Sequence, residues 1–258
     1  MCGRFDAVSF EELSSAARLL HEQGRGASGL AELLGLGGPD AVEAMRPTPD
    51  SPTAPHAPAG RPSPGQALPG SVVAALVVSD GHLAVERMTW GVEASWKPGK
   101  LIINARLDDA LARPGGMWAD PLASRRCAIP ARGFYEPRRT RTARSARTGR
   151  QVRQQVRFAP AGGGVMFLAG VYQDGRCAVM TTSPNADVAP VHDRMPVVLA
   201  PTEVSGWLGG SYARMVDRSA VRLEARDADA PATPTRGDDS AGEGAEEGTA
   251  PGKGVGRR

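Results

Sequence analysis

Two long apolar runs, each broken near its midpoint by Asp-Gly, constrain the fold of this chain more than any other feature. Ser71 to Ser79 meets His82 to Trp90 across Asp80-Gly81, and Val165 to Gln173 meets Arg176 to Thr182 across Asp174-Gly175. Asp-Gly tolerates positive φ at both central positions, and the two-residue turn it forms matches the twist of the flanking strands, so each pair is predicted to be a β-hairpin. Further strand-like runs are Leu101 to Arg106, Cys127 to Glu136, Gln151 to Phe158 and Pro196 to Ala200. Helical signals are short. Ser9-Phe10-Glu11-Glu12 reads as a capping box that opens a helix with Phe10, Leu13, Ala17 and Leu20 on one face. Ser28 to Leu36 and Pro201 to Leu208 are predicted as two more short helices. Antiparallel hairpins with a few peripheral helices place the chain in the α+β class.

Of 258 residues, 32 are glycine and 22 proline, so part of the length must lie outside any packed core. Gly37 to Gly70 holds nine prolines and almost no apolar periodicity, and is expected to be an irregular excursion over the surface. Asp227 to Arg258 holds seven acids against four bases and few large apolar residues, which reads as a disordered acidic tail. The expected organisation is one domain over 1–226, with a Pro-rich insertion at 37–70, followed by the tail at 227–258. The longest apolar stretch, Val72 to Val78, is far short of the roughly 20 residues that cross a bilayer, so a cytoplasmic protein without a membrane partner is expected. Three cysteines without a C-x-x-C pair define neither a disulfide framework nor a zinc site, and no metal or other cofactor is expected. Basic residues are 28 Arg and 3 Lys, and Arg138 to Arg157 contains eight arginines and no acid. Guanidinium groups suit phosphate contacts, although a GC-rich genome produces the same bias.

Five residues, at four places in the chain, stand out for chemistry. Loss of Met1 would leave Cys2 with a free α-amine beside its thiol, a 1,2-aminothiol that condenses with an aldehyde to a five-membered thiazolidine. Asn104 and Arg106, two apart on a strand, should share a side, setting an amide next to a guanidinium. Glu136 follows the aromatic pair Phe134-Tyr135, where partial burial would raise its pKa toward acid–base use. His192, followed by Asp193 and Arg194 at a strand entrance, is suited to moving protons or binding an oxyanion. Taken singly, each also fits an ordinary structural residue.

The motifs and their order are more specific than any one residue. Met1-Cys2-Gly3-Arg4-Phe5, Trp90-Gly91 with Trp96, Asn104-Ala105-Arg106, Arg126-Cys127-Ala128-Ile129-Pro130-Ala131 leading to Gly133-Phe134-Tyr135-Glu136, and Thr181-Thr182-Ser183 with Asn185 before His192-Asp193-Arg194-Met195-Pro196 resemble the SRAP family, the SOS-response-associated peptidase-like proteins. The resemblance spans roughly Cys2 to Leu208. It implies a curved, barrel-like antiparallel sheet with Cys2 exposed beside a positively charged groove for single-stranded DNA, and covalent capture of abasic sites as a thiazolidine. Cys2, Asn104, Glu136 and His192 would then form the catalytic set, and Arg4, Arg106, Trp90 and Arg194 would bind DNA. The partner that the resemblance implies is single-stranded DNA with abasic sites, met by a monomer near the nucleoid alongside replication or repair machinery. Two positions depart from the family pattern. Leu107-Asp108-Asp109 replaces an acidic-threonine pair, and Pro137 stands where many members have tryptophan, a stacking surface for a base. Three other function classes remain open. An N-terminal-nucleophile glutamine amidohydrolase could use a freed Cys2, a cysteine peptidase could use it for self-removal of Met1, and a single-strand-binding module would need no covalent step.

Overall fold

The computed structural model describes residues 2–10, 12, 65–79, 82–144 and 149–228. β1 (Arg4–Ala7) pairs antiparallel with β2 (Gln66–Ala67) on one side. The first Asp-Gly hairpin is β3 (Val72–Ser79) with β4 (His82–Trp90), in a register that sets Ser79 opposite His82. A small separate ribbon, β5 (Val92–Glu93) with β6 (Leu101–Ile102), leads into β7 (Asn104–Arg106) and two short helices, α1 (Leu107–Ala112) and α2 (Ala119–Ser124). β8 (Arg126–Arg144) and β9 (Gln151–Pro160) form a long ribbon. The second Asp-Gly hairpin is β10 (Met166–Gln173) with β11 (Arg176–Thr182), and its turn residues Asp174 and Gly175 have φ of 51° and 68°. β12 (Met195–Pro196), β13 (Val198–Leu199), α3 (Val204–Leu208) and β14 (Leu223–Asp227) complete the chain, with β14 antiparallel to β9.

The architecture is sheet-dominated α+β. Its pairings run β8 to β10 to β11 to β4 to β3 and back to β8, a ring of strands that curves the sheet on itself. Successive side chains on a strand face opposite ways, so a strand covered on both faces feeds two apolar clusters. One gathers Leu76, Ala128, Phe167, Ala169, Met180 and Trp207; the other gathers Phe5, Val77, Ile129, Phe134, Leu168 and Val179. The Trp207 indole N–H donates to the Cys127 carbonyl at 2.9 Å and holds α3 on the first cluster. A Cβ at Gly170 would stand 2.8 Å from Cys127 Sγ, so only glycine lets β10 cross that cysteine.

Both predicted hairpins form, and so does the capping box, with Ser9 N–H donating to Glu12 Oε2 at 2.8 Å and Glu12 N–H to Ser9 Oγ at 3.1 Å. The rest of that helix, the helix expected at Ser28 to Leu36, most of the 37–70 excursion and the acidic tail beyond Ala228 fall outside the described residues. The excursion was expected to contribute nothing to the core, yet Gln66–Ala67 is a strand and Ala67 is buried, because β1 has an open edge there. Leu101 to Arg106 is two strands, since Ile103 turns its carbonyl to the Trp90 indole at 2.9 Å. Pro196 to Ala200 divides at Val197, whose N–H donates to Met180 of β11 while its carbonyl accepts from Ala169 of β10. Asp227, expected to open the tail, is the last residue of β14. Among the described residues no helix is long and apolar enough to cross a membrane.

Candidate active site

The strand registers bring Cys2, Asn104, Glu136 and His192 together. β1 lies antiparallel to β8 with Arg4 opposite Tyr135, so the chain running back from Arg4 to Cys2 approaches Glu136. β7 lies parallel to β11 with Asn104 beside Val179, and the Asn104 amide N–H donates to the Cys2 carbonyl at 2.8 Å. β12 lies on the same strand, with Met195 opposite Thr182, three residues after His192. The loop back to His192 is built by Asn185, whose buried side chain accepts from the Asp187 and Val188 amides at 3.1 Å and donates to Val221 O at 2.7 Å. A short polar side chain that reproduces backbone bonds is what such a turn needs, which explains an asparagine in that motif.

Electrostatics at the centre are set by burial. The Glu136 carboxylate is fully covered, and desolvation pushes its pKa up from 4.5 to about 7. His192 Nε2 lies 3.8 Å from Glu136 Oε2, and burial pulls its pKa below the ordinary value, so the imidazole is neutral near pH 7. Around its Nδ1 stand the Arg194 amide at 3.1 Å, the Arg194 carbonyl at 3.2 Å and Asp193 Oδ1 at 3.2 Å. Either tautomer is therefore held there, and Nε2 is left facing the carboxyl group. Cys2 is buried, and its thiol donates to the Arg4 carbonyl at 3.5 Å. Burial, with the Glu136 charge adding to it, pushes that thiol far above its ordinary range. Cys2 was expected to be exposed and is not, because Asn104 and the turn into β1 draw it into the apolar cluster of Phe5 and Trp90. Asn104 Oδ1 is buried and has no hydrogen-bond partner among the described residues, so it is an acceptor held in reserve beside Cys2.

The residues expected to bind DNA divide. Arg4 stacks its guanidinium 3.8 Å from the Tyr135 ring centroid, over a network in which Asp6 accepts from the Tyr135 hydroxyl at 2.9 Å and from Arg157 Nε at 2.6 Å. Arg106 shares the Asn104 side of β7, Ala105 being buried on the other, and is half exposed while pairing with Asp108 at 2.9 Å. Trp90 offers no face to a base: it is fully buried, 4.7 Å from the Phe5 ring. The exposed indole of that motif is Trp96, at 61%. Arg194 is also committed elsewhere, with Nη1 and Nη2 on the two oxygens of Asp108 at 3.0 and 2.7 Å and Nη2 also on Thr181 O at 2.9 Å. Asp108, which the sequence marked only as part of the Leu107-Asp108-Asp109 departure, holds both Arg106 and Arg194, and these hydrogen bonds keep its carboxyl well below the usual range, the bond from Arg194 most of all. An apolar cavity of about 1050 Å³ near Val8, Phe167 and Pro201 contains none of these groups.

A sheet-dominated α+β fold, closed by a ring of strands, that brings Cys2, Asn104, Glu136 and His192 together is the class of structure this chain presents. Within it, this chain belongs to the SOS response associated peptidase (SRAP) family, whose model matches residues 1–230. It is 29% identical over 153 residues to the abasic site processing protein YoaM of Bacillus subtilis, covering 54% of this chain and 63% of that one. It is 30% identical over 146 residues to the abasic site processing protein YoqW of the same organism, covering 51% and 61%. The match thus spans less than two thirds of either relative. In fold it is similar to a crystallised Bordetella bronchiseptica protein, with a TM-score of 0.52 at 18% identity over 88% of this chain and 99% of that one. A phage-related protein of that organism gives a TM-score of 0.50 at 20% identity, over 67% and 86%.

Proposed function

We propose that this protein recognises abasic sites in single-stranded DNA and captures them covalently through Cys2 once Met1 is gone. The observation that carries the reading is the convergence on Cys2 of Asn104, at 2.8 Å from its carbonyl, and of the Glu136–His192 pair, 3.8 Å apart and poised near neutrality. Family membership and the names of the curated relatives point the same way.

The ring-opened abasic sugar carries an aldehyde at C1′. The Cys2 amine adds to that carbon and water leaves, giving an iminium; the thiol sulfur then bonds to the same carbon and releases its proton, closing the thiazolidine. The net reaction is a condensation that expels one water. A carboxyl group with a pKa of about 7 is half protonated at neutral pH, so Glu136 can give a proton to the departing hydroxyl and take one from the thiol. His192, whose Nε2 lies 3.8 Å from that carboxyl group, exchanges protons with it when the two close to hydrogen-bond distance on substrate binding. Asn104 holds the Cys2 backbone, and its spare Oδ1 accepts from the amine or the opened sugar. Fixing both nucleophiles against one carbon is worth roughly 7–11 kcal/mol in effective concentration. Arg4 and Arg106 hold the flanking phosphates.

The test is a denaturing gel of purified protein with an oligonucleotide carrying one abasic site, beside Cys2→Ala and an undamaged strand, after intact mass confirms loss of Met1. A shifted band unique to the parent protein on damaged DNA is the expected result. No band from protein that lacks Met1 would overturn the reading.

A further inference from the structure

We propose that the outer half of the β8–β9 ribbon is a phosphate-binding strip that extends the DNA path beyond the reacting centre and holds the single strand flanking the lesion. The proposal rests on the function proposed above. Inside the domain, Glu136 faces Val156 and Pro137 faces Gln155, but the next pair in register is Thr142 with Arg153. Arg138 to Arg141 on β8 therefore stand against the single residue Gln154, and β8 bulges outward immediately after the catalytic carboxylate.

The bulge is tied to the site at two points. Arg138 Nη2 donates to Asp227 Oδ1 at 2.9 Å, which anchors the ribbon to β14. Arg139 Nη1 lies 3.7 Å from Asp193 Oδ2, and Asp193 is the residue that stands 3.2 Å from His192 Nδ1. Beyond these anchors the ribbon gains nothing from burial: Arg139, Thr140, Arg141, Thr142, Val152 and Arg153 are all exposed. Arg157 is neutralised by Asp6 and Arg138 by Asp227, whereas Arg141 and Arg153 make no ion pair among the described residues. Like charges gathered on one ribbon repel and destabilise it unless an anion lies along it. From Val156, opposite Glu136, to its first residue Gln151, β9 covers about 17 Å at about 3.3 Å per residue, room for several phosphates. The strip starts at the reacting carboxylate, so its natural polyanion is the strand whose sugar reacts there.

A rival occupant is the chain's own acidic segment beyond Ala228, the residue whose N–H donates to the Gln155 carbonyl of β9 at 2.9 Å. The experiment separates the two. Affinity of the full chain for an undamaged single strand is measured across a salt series, beside Arg139→Gln/Arg141→Gln/Arg153→Gln and the corresponding triple Lys variant. At about 0.7 per phosphate contact, the Gln variant is expected to bind more weakly with a salt slope lower by about 2, and the Lys variant to keep the parent slope. An unchanged slope in the Gln variant, at an unchanged melting temperature, overturns the proposal. So does a Gln effect that disappears when Asp238, Asp239, Glu243, Glu246 and Glu247 are changed to their amides, since the strip would then be serving the tail. A parent protein that forms no crosslink yet loses slope in the Gln variant would sink the function proposed above and leave the strip standing.

Discussion

Replacing Glu136 by Gln should raise the stability of the fold at alkaline pH while stopping the chemistry. The carboxylate is fully buried, and burial lifts its pKa from 4.5 to about 7. An acid whose folded pKa is raised is most favourable to folding when protonated in both states, below pH 4.5. Its contribution is lost as pH climbs from there through 7, because the unfolded chain ionises first. At 1.36 kcal/mol per unit, the loss by pH 8 is about 3 kcal/mol. His192 works in the opposite sense: its folded pKa is lowered, so acid below the ordinary histidine value favours the unfolded chain. That slope is present in both proteins and largely cancels in their difference. Urea unfolding of parent and Glu136→Gln at pH 4.5 and pH 8 isolates the carboxylate. The midpoints should nearly coincide at pH 4.5, and at pH 8 the variant should unfold later by about 1–3 M urea, for slopes of 1–3 kcal/mol per M. A stability difference that is the same at both pH values would refute the reasoning, since it would mean that Glu136 pays no desolvation cost in the folded state.

Gly133→Ala places a Cβ 2.9 Å from Arg157 Cζ and from Phe158 O, and should cost about 1–3 kcal/mol, read as a lowered denaturation midpoint, because the backbone oxygen cannot move aside. Asp108→Ala leaves the largely buried Arg194 without its bidentate partner and should cost about 2–3 kcal/mol, below the usual cost of breaking a buried pair because Asp108 is 35% exposed. Since the Asp108 pKa is depressed in the fold, its contribution is complete above pH 4 and fades as pH falls through the depressed value, so an acid titration of Asp108→Asn should be flatter than that of the parent. Asn104→Ala removes one bond to the Cys2 carbonyl and should slow crosslinking about tenfold, measured as the rate of band appearance on a denaturing gel.

The hairpins, the capping box and the order of the motifs were legible because each depends on neighbours in sequence: Asp-Gly turns the chain wherever it stands between two apolar runs, and Ser9 reaches only three residues to Glu12. Side-chain alternation likewise placed Asn104 and Arg106 on one side of a strand. The 1,2-aminothiol that loss of Met1 would leave at Cys2 is a local feature too, because that amine and thiol belong to one residue. Exposure and partnership are not local. Trp90 and Trp96 sit six residues apart in one motif, and only the closure of β4 against Phe5 decides that the first is core and the second open to solvent. Arg194 resembles a phosphate ligand until Asp108, 86 positions earlier, is found on its guanidinium. The same holds for Glu136, whose pKa depends on the sheet that covers it. A sequence determines which groups are present and how the nearest ones interact, whereas burial and charge pairing sum over every strand that arrives from elsewhere and exist only once the sheet has curved and closed.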